Sequence, residues 1–109
     1  MHRITDNYTA SGQIAVDDVT AIAEAGFKAV VCNRPDHEDP GQPTAADVAA
    51  ACEEHGLTFH HVPFVGSHLT LEIVEAMREV MSNTDGPVFA YCRSGTRSAF
   101  VWQYASQGA

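Results

Sequence analysis

An α/β fold is what this sequence predicts: a mainly parallel sheet of about four to five strands flanked by helices. Three observations carry the prediction. Residues 27–32, 57–62 and 87–91 read as strands, and the apolar run at 27–32, Lys28 excepted, fits a parallel strand covered on both faces. The segments between them carry helical start and stop signals. Gly and Pro punctuate the connections, and the strands alternate with helices along the chain, which implies helices packed around a mainly parallel sheet.

In chain order, residues 3–5 and 7–10 read as short edge strands, and residues 11–13 as a turn. Asp17 and Asp18 open a helix through Val19, Ile22, Ala23 and Ala25, and Gly26 ends it. The strand at 27–32 stops at Asn33-Arg34-Pro35. Residues 33–43 form a loop with three prolines and an acidic cluster at residues 36–39, read as a solvated surface. Thr44 with Asp47 three residues on is a capping-box variant, and the helix it opens runs to about His55. Pro63 stops the third strand. Thr70 caps a helix whose Ile73, Val74, Met77 and Val80 form one apolar face. Residues 82–86 turn into the last strand, and a helix-compatible run, 98–105, comes after it. The sequence shows no internal repeat, low-complexity tract or linker, so residues 1–109 are expected to form a single domain.

Composition narrows the function. A net charge of −8 argues against nucleic acid and anionic membranes as partners, because basic patches drive those contacts. An apolar signal region and a membrane-length apolar run are both lacking, which leads to the expectation of a cytoplasmic protein. Three cysteines, an odd number, suit free thiols rather than a disulfide framework.

The chemistry concentrates in Tyr91-Cys92-Arg93-Ser94-Gly95-Thr96-Arg97-Ser98. An apolar strand delivers a cysteine into a short loop, and a helix comes next. Amides of such a loop converge on one point, and the helix N-terminus adds partial positive charge. A cysteine there becomes a stabilised thiolate. Arg97 offers a planar fork of donors to a bound oxyanion. Four residues separate Cys92 from Arg97. Tyrosine and dual-specificity phosphatases use five, and five here would put Ser98 in the arginine's place. The four-residue form resembles the persulfide-carrying loop of rhodanese-type sulfurtransferases.

A wider resemblance covers nearly the whole chain. Residues 4–13, Val30-Val31-Cys32-Asn33-Arg34-Pro35-Asp36, His61-Val62-Pro63 and the Cys92 loop, in that order, resemble the bacterial beta-lactamase-hydrolase-like, phosphatase-like family. The resemblance implies a dual-specificity-phosphatase-like fold carrying a rhodanese-like loop. It implies sulfur transfer as the activity, with a small anionic sulfur donor, a thiol acceptor and, as a further partner, a persulfide-oxidising metallo-hydrolase. One departure from the phosphatases stands out. They place an aspartate general acid after the step that Val62-Pro63 resembles, and residues 64–69 contain no carboxylate. An alkoxide leaving group needs a proton; sulfite or a thiolate leaves without one.

The expected site is therefore Cys92 as nucleophile and Arg97 as anion holder. Arg93, Ser94, Gly95, Thr96 and Ser98 form the substrate-binding loop. Ser98 is also a candidate to cap the helix or to donate its hydroxyl to the thiolate. Three further candidates lie at neighbouring strand ends. Arg34 would contact either substrate or an acid, Cys32 would resolve a persulfide unless it is a core thiol, and His68 would replace the missing acid. An acid from residues 36–39 reaching across is the other route to a proton. His60 and His61 are adjacent in a strand and point to opposite faces, so no metal is expected, nor any cofactor. Three functions stay open on the residues alone: a Cys92 sulfurtransferase, a phosphatase working through a phosphocysteine, and a noncatalytic anion-binding module.

Overall fold

The computed structural model describes residues 1–107. Five strands form one sheet: β1 (His2–Thr5), β2 (Tyr8–Ser11), β3 (Ala29–Cys32), β4 (Thr58–His61) and β5 (Val88–Tyr91), in the order β1-β2-β5-β3-β4. Only β1 runs antiparallel to its neighbour; β2, β5, β3 and β4 are parallel. Four helices cover the faces: α1 (Asp18–Glu24), α2 (Ala45–Glu54), α3 (Leu71–Asn83) and α4 (Thr96–Ala105). This is the predicted α/β sheet. None of these helices is long and apolar enough to cross a membrane.

Strand alternation divides the core in two. Val31, Val88 and Ala90 face α3 and α4 with Met77 and Val101, whereas Val30, Cys32, Phe89 and Tyr91 face α1 and α2 with Val19 and Val48. Thr44 and Thr70 cap α2 and α3 by accepting from the amides of Asp47 and Ile73, as their sequence positions predict. The apolar face read on α3 is realised, with Val74, Met77 and Val80 buried.

Two expectations are corrected. Residues 8–11 are not an edge strand: β2 lies between β1 and β5, and all four of its residues are buried. Its Thr9 and Ser11 give it a polar look, but Ser11 satisfies its hydroxyl locally on the Gly12 carbonyl at 3.0 Å. The last helix begins at Thr96, not at residue 98. It packs on α3, and Arg78 of α3 donates to the carbonyls of Tyr104, Ala105 and Gln107, closing the end of α4.

Candidate active site

The site lies at the carboxyl ends of the parallel strands, where three loops meet. β5 delivers Cys92, whose own amide donates to the Ser11 carbonyl at 3.1 Å. The loop then turns through Gly95 at φ +92°, the residue just before α4. Glycine is required twice over here. The backbone is left-handed, and a Cβ would meet the Ser11 carbonyl carbon at 3.3 Å.

This turn aims amides at the sulfur. The Gly95 N–H donates to Cys92 Sγ at 3.1 Å. Burial alone would push the Cys92 thiol up; the amides of Ser98, Ser94, Arg97 and Gly95 outweigh it and draw the thiol below its ordinary value. The other cysteines go the opposite way. Burial pushes Cys52 up to about 11 and also raises Cys32. Among the expected loop residues, Thr96 and Ser94 join hydroxyls at 3.0 Å on the rim.

Arg97 is held from one edge. Its Nη1 and Nη2 donate to the two carboxylate oxygens of Glu38 at 2.9 and 2.8 Å, and Nη1 also donates to the Phe64 carbonyl at 3.0 Å. Three of five guanidinium N–H groups are thereby used. Nε–H and the remaining Nη2–H share the other edge, the geometry for gripping two oxygens of an anion.

Glu38 belongs to a chain of ion pairs. Arg34, only 2% exposed, donates through Nε to Glu38 at 2.8 Å, through Nη2 to Asp39 at 2.6 Å and through Nη1 to Gln13 at 2.9 Å. Arg93 approaches Asp39 at 3.3 Å from a largely exposed position, a contact of little energetic weight. The loop after β3 is thus clamped onto the Cys92 loop. The Arg97 hydrogen bonds, with Arg34 adding to them and burial opposing, hold the Glu38 carboxyl at about 2. The remaining acid of this loop, Asp36, accepts the Ala45 amide at 2.8 Å, at the start of α2.

A cavity of about 630 Å³ opens beside the loop. Glu38 and Asp39 line one part, Arg93, Thr96 and Arg97 another, with Phe100, Gly66 and Ser67 completing it. Among the described residues, no cluster of three or more His, Cys, Asp or Glu is placed to hold a metal.

Several candidates fall elsewhere. Arg34 bonds acids, not the cavity. Cys32 is brought level with Tyr91 by the β3–β5 register, faces α1 and α2, and donates its thiol to the Arg34 carbonyl at 3.2 Å. The thiol is therefore turned away from Cys92. His68 is exposed and lies outside the cavity lining, one residue past Ser67. Ser98 does not cap the helix, since Gly95 precedes it there, and its hydroxyl goes to Asn33 Oδ1 at 2.8 Å, not to the thiolate. The acidic loop read as solvated supplies Glu38 to the site. Gln13 and Asn33 lie in segments the sequence singles out, but nothing in their spacing announces their partners, Arg34 and Ser98.

Comparison with known proteins now bears on this site. The beta-lactamase hydrolase-like protein, phosphatase-like domain, matches residues 1–109. The chain belongs to that family. A beta-lactamase hydrolase-like protein of Agrobacterium fabrum (strain C58) is 34% identical over 100 residues, 92% of this chain but 23% of the relative. One of Xylella fastidiosa (strain Temecula1) is 31% identical over 91% of this chain and again 23% of the relative. The chain therefore spans about a quarter of the length of these family members. Among solved structures, a candidate phosphatase of Neisseria meningitidis Z2491 (nma1982) superposes with a TM-score of 0.86 at 34% identity, covering 99% of this chain and 78% of that one. TpbA of P. aeruginosa, solved as a cysteine-to-serine variant in complex with pTyr, superposes with a TM-score of 0.69 at 15% identity, covering 98% and 64%. The latter likeness is one of fold, and the family fold is that of the dual-specificity and tyrosine phosphatases.

Proposed function

We propose that the protein is a cysteine-dependent enzyme of this phosphatase-like family whose reaction is sulfur transfer. The observation carrying the reading is the state of the carboxylates at the cavity. Both Glu38 and Asp39 are ion-paired to arginines, and Glu38, at about 2, has no proton to give near neutral pH. A leaving group must then depart as a stable anion. Sulfite and thiolates do so; alkoxides do not. The four-residue Cys92–Arg97 spacing agrees with that chemistry.

In the proposed reaction the Cys92 thiolate attacks the outer sulfur of thiosulfate. The new S–S bond forms as the donor's S–S bond breaks, sulfite leaves with the electron pair, and Cys92 becomes a persulfide. A low-molecular-weight persulfide reacts the same way, losing a thiolate. The free edge of Arg97 and the loop amides hold the donor's anionic end. A thiol acceptor then takes the outer sulfur as its thiolate and regenerates Cys92. A persulfide-oxidising metallo-hydrolase is the partner this reading implies.

A second reading is favoured by the comparisons, which lean towards it more than towards sulfur transfer: the Neisseria relative is described as a candidate phosphatase, and TpbA was solved with pTyr. Here Cys92 attacks phosphorus, the ester P–O bond breaks, and water hydrolyses the phosphocysteine. Without a proton donor, this route suits aryl phosphates, whose leaving groups are stable as anions.

Intact mass spectrometry separates the two. Protein is incubated with thiosulfate and, separately, with an aryl phosphate. A gain of one sulfur that is absent in Cys92→Ser is the expected result. Cys92-dependent phosphate release without any sulfur adduct would replace the first reading by the second.

A further inference from the structure

Asn33 and Ser98 are both fully buried, at 0% exposure, beside the loop. Asn33 comes directly after β3, and its amide donates to the Tyr91 carbonyl at 2.8 Å, which sets it level with Cys92 across the strand pair. Its side-chain amide is used at both ends. Nδ2 donates to the Val62 carbonyl at 2.9 Å, while Oδ1 accepts the Ser98 hydroxyl at 2.8 Å. The Ser98 carbonyl in turn accepts the Tyr8 hydroxyl at 2.8 Å. Ser98 is therefore gripped through its hydroxyl and its carbonyl, and it lies in the first turn of α4 just past Gly95, whose N–H donates to Cys92 Sγ at 3.1 Å; its amide is among those that draw the Cys92 thiol down. A buried serine in the first turn of a helix has easier partners than a residue at the end of another strand.

We propose that Asn33 is a positioning residue that, through its hydrogen bond to Ser98, holds the first turn of α4 with its amides on the Cys92 sulfur. Asn33 makes no contact with substrate; it acts through Ser98. Its fixed bond to Val62, at the end of β4, makes it a strut between the sheet and the helix. This inference rests on Cys92 being the reactive thiolate, but its readout requires no turnover and no choice between sulfur and phosphorus chemistry.

The charged and titratable groups around Cys92 are left intact in the test. They are Tyr8 on β2, Arg97 on α4 and, one step removed through the arginines, Glu38 and Asp39; residues 64–69 add only the exposed His68. Asn33→Leu, Ser98→Ala and the double variant are titrated by thiolate absorbance in a Cys32→Ala, Cys52→Ala background, with circular dichroism confirming the fold. Each single variant is expected to raise the Cys92 thiol by about one pH unit. The double variant should shift no further than the larger single one, because both cut the same bond. An unchanged titration in folded Ser98→Ala overturns the proposal, and so do fully additive shifts. Where Asn33→Leu does not fold, Ser98→Ala decides alone, since it breaks the same hydrogen bond with a much smaller change.

Discussion

Cys32 and Cys92 sit at the ends of neighbouring parallel strands, and are 2% and 1% exposed. Their thiols nevertheless move in opposite directions, Cys32 up and Cys92 down. Burial acts the same way on both. The difference lies in the backbone just beyond each strand. After β3 the chain enters Asn33-Arg34-Pro35, and the Cys32 thiol donates to a carbonyl. After β5 it curls through Gly95 into α4, the Gly95 amide donates to the sulfur, and the neighbouring amides draw the thiol down. A strand end supplies position; the adjoining loop decides whether the sulfur meets acceptors or donors.

The sharpest break of this comparison is exchange of Cys92, the proposed nucleophile. Cys92→Ser should lower turnover by about 10³-fold or more. Cys32→Ala should leave turnover within about a factor of two, as expected for a residue acting independently of the site. A large loss in folded Cys32→Ala would restore a resolving role that its orientation opposes. Next comes the backbone. Gly95→Ala should cost about 1–3 kcal/mol in stability through its left-handed φ. It should also cost about 10²-fold in activity by misaiming amides, read by thermal melts alongside initial rates. Alkylation by iodoacetamide sharpens the contrast without mutation. Cys92 should react with an inflection below that of an ordinary thiol, while Cys52 stays protonated until near pH 11. Peptide mapping after a short pulse at neutral pH would find the label on Cys92; label on Cys32 would contradict the assignment.

The smallest effect concerns acid. The Glu38 pKa is lowered by folding, so its stabilising contribution is complete above its ordinary 4.5 and is lost as pH falls towards 2. Denaturant midpoints tracked from pH 6 down to 2 should fall in that window. In Glu38→Gln they should already start lower and decline less.

The Cys92 loop was legible because its parts are consecutive: apolar strand, cysteine, glycine, arginine and helix succeed one another along the chain. The α3 face and the Thr44 and Thr70 caps are local for the same reason. Glu38 was harder to read. An acidic cluster in a proline-rich loop reads as solvated until Arg34 and Arg97, the latter 59 residues away, are placed around it. Asn33 was visible at a strand end, but its partner lies 65 residues on, and nothing in the spacing announces the pairing. The interior place of β2 was hidden by its hydroxyls and depends on pairing with β5.

That β2–β5 pairing joins residues 8–11 to residues 88–91 in register, and the Gly12–Ser94 bridge extends it to the edge of the reactive loop. A contact of such separation closes late and slowly, since a long stretch of chain must lose its freedom first. During synthesis β2 has only β1 as a partner strand until β5 emerges. Gly95, whose N–H donates to the sulfur, lies close against Ser11 of β2, so the donor loop is seated on a strand from the other end of the chain. The reactivity of Cys92 is therefore expected to report a completed fold.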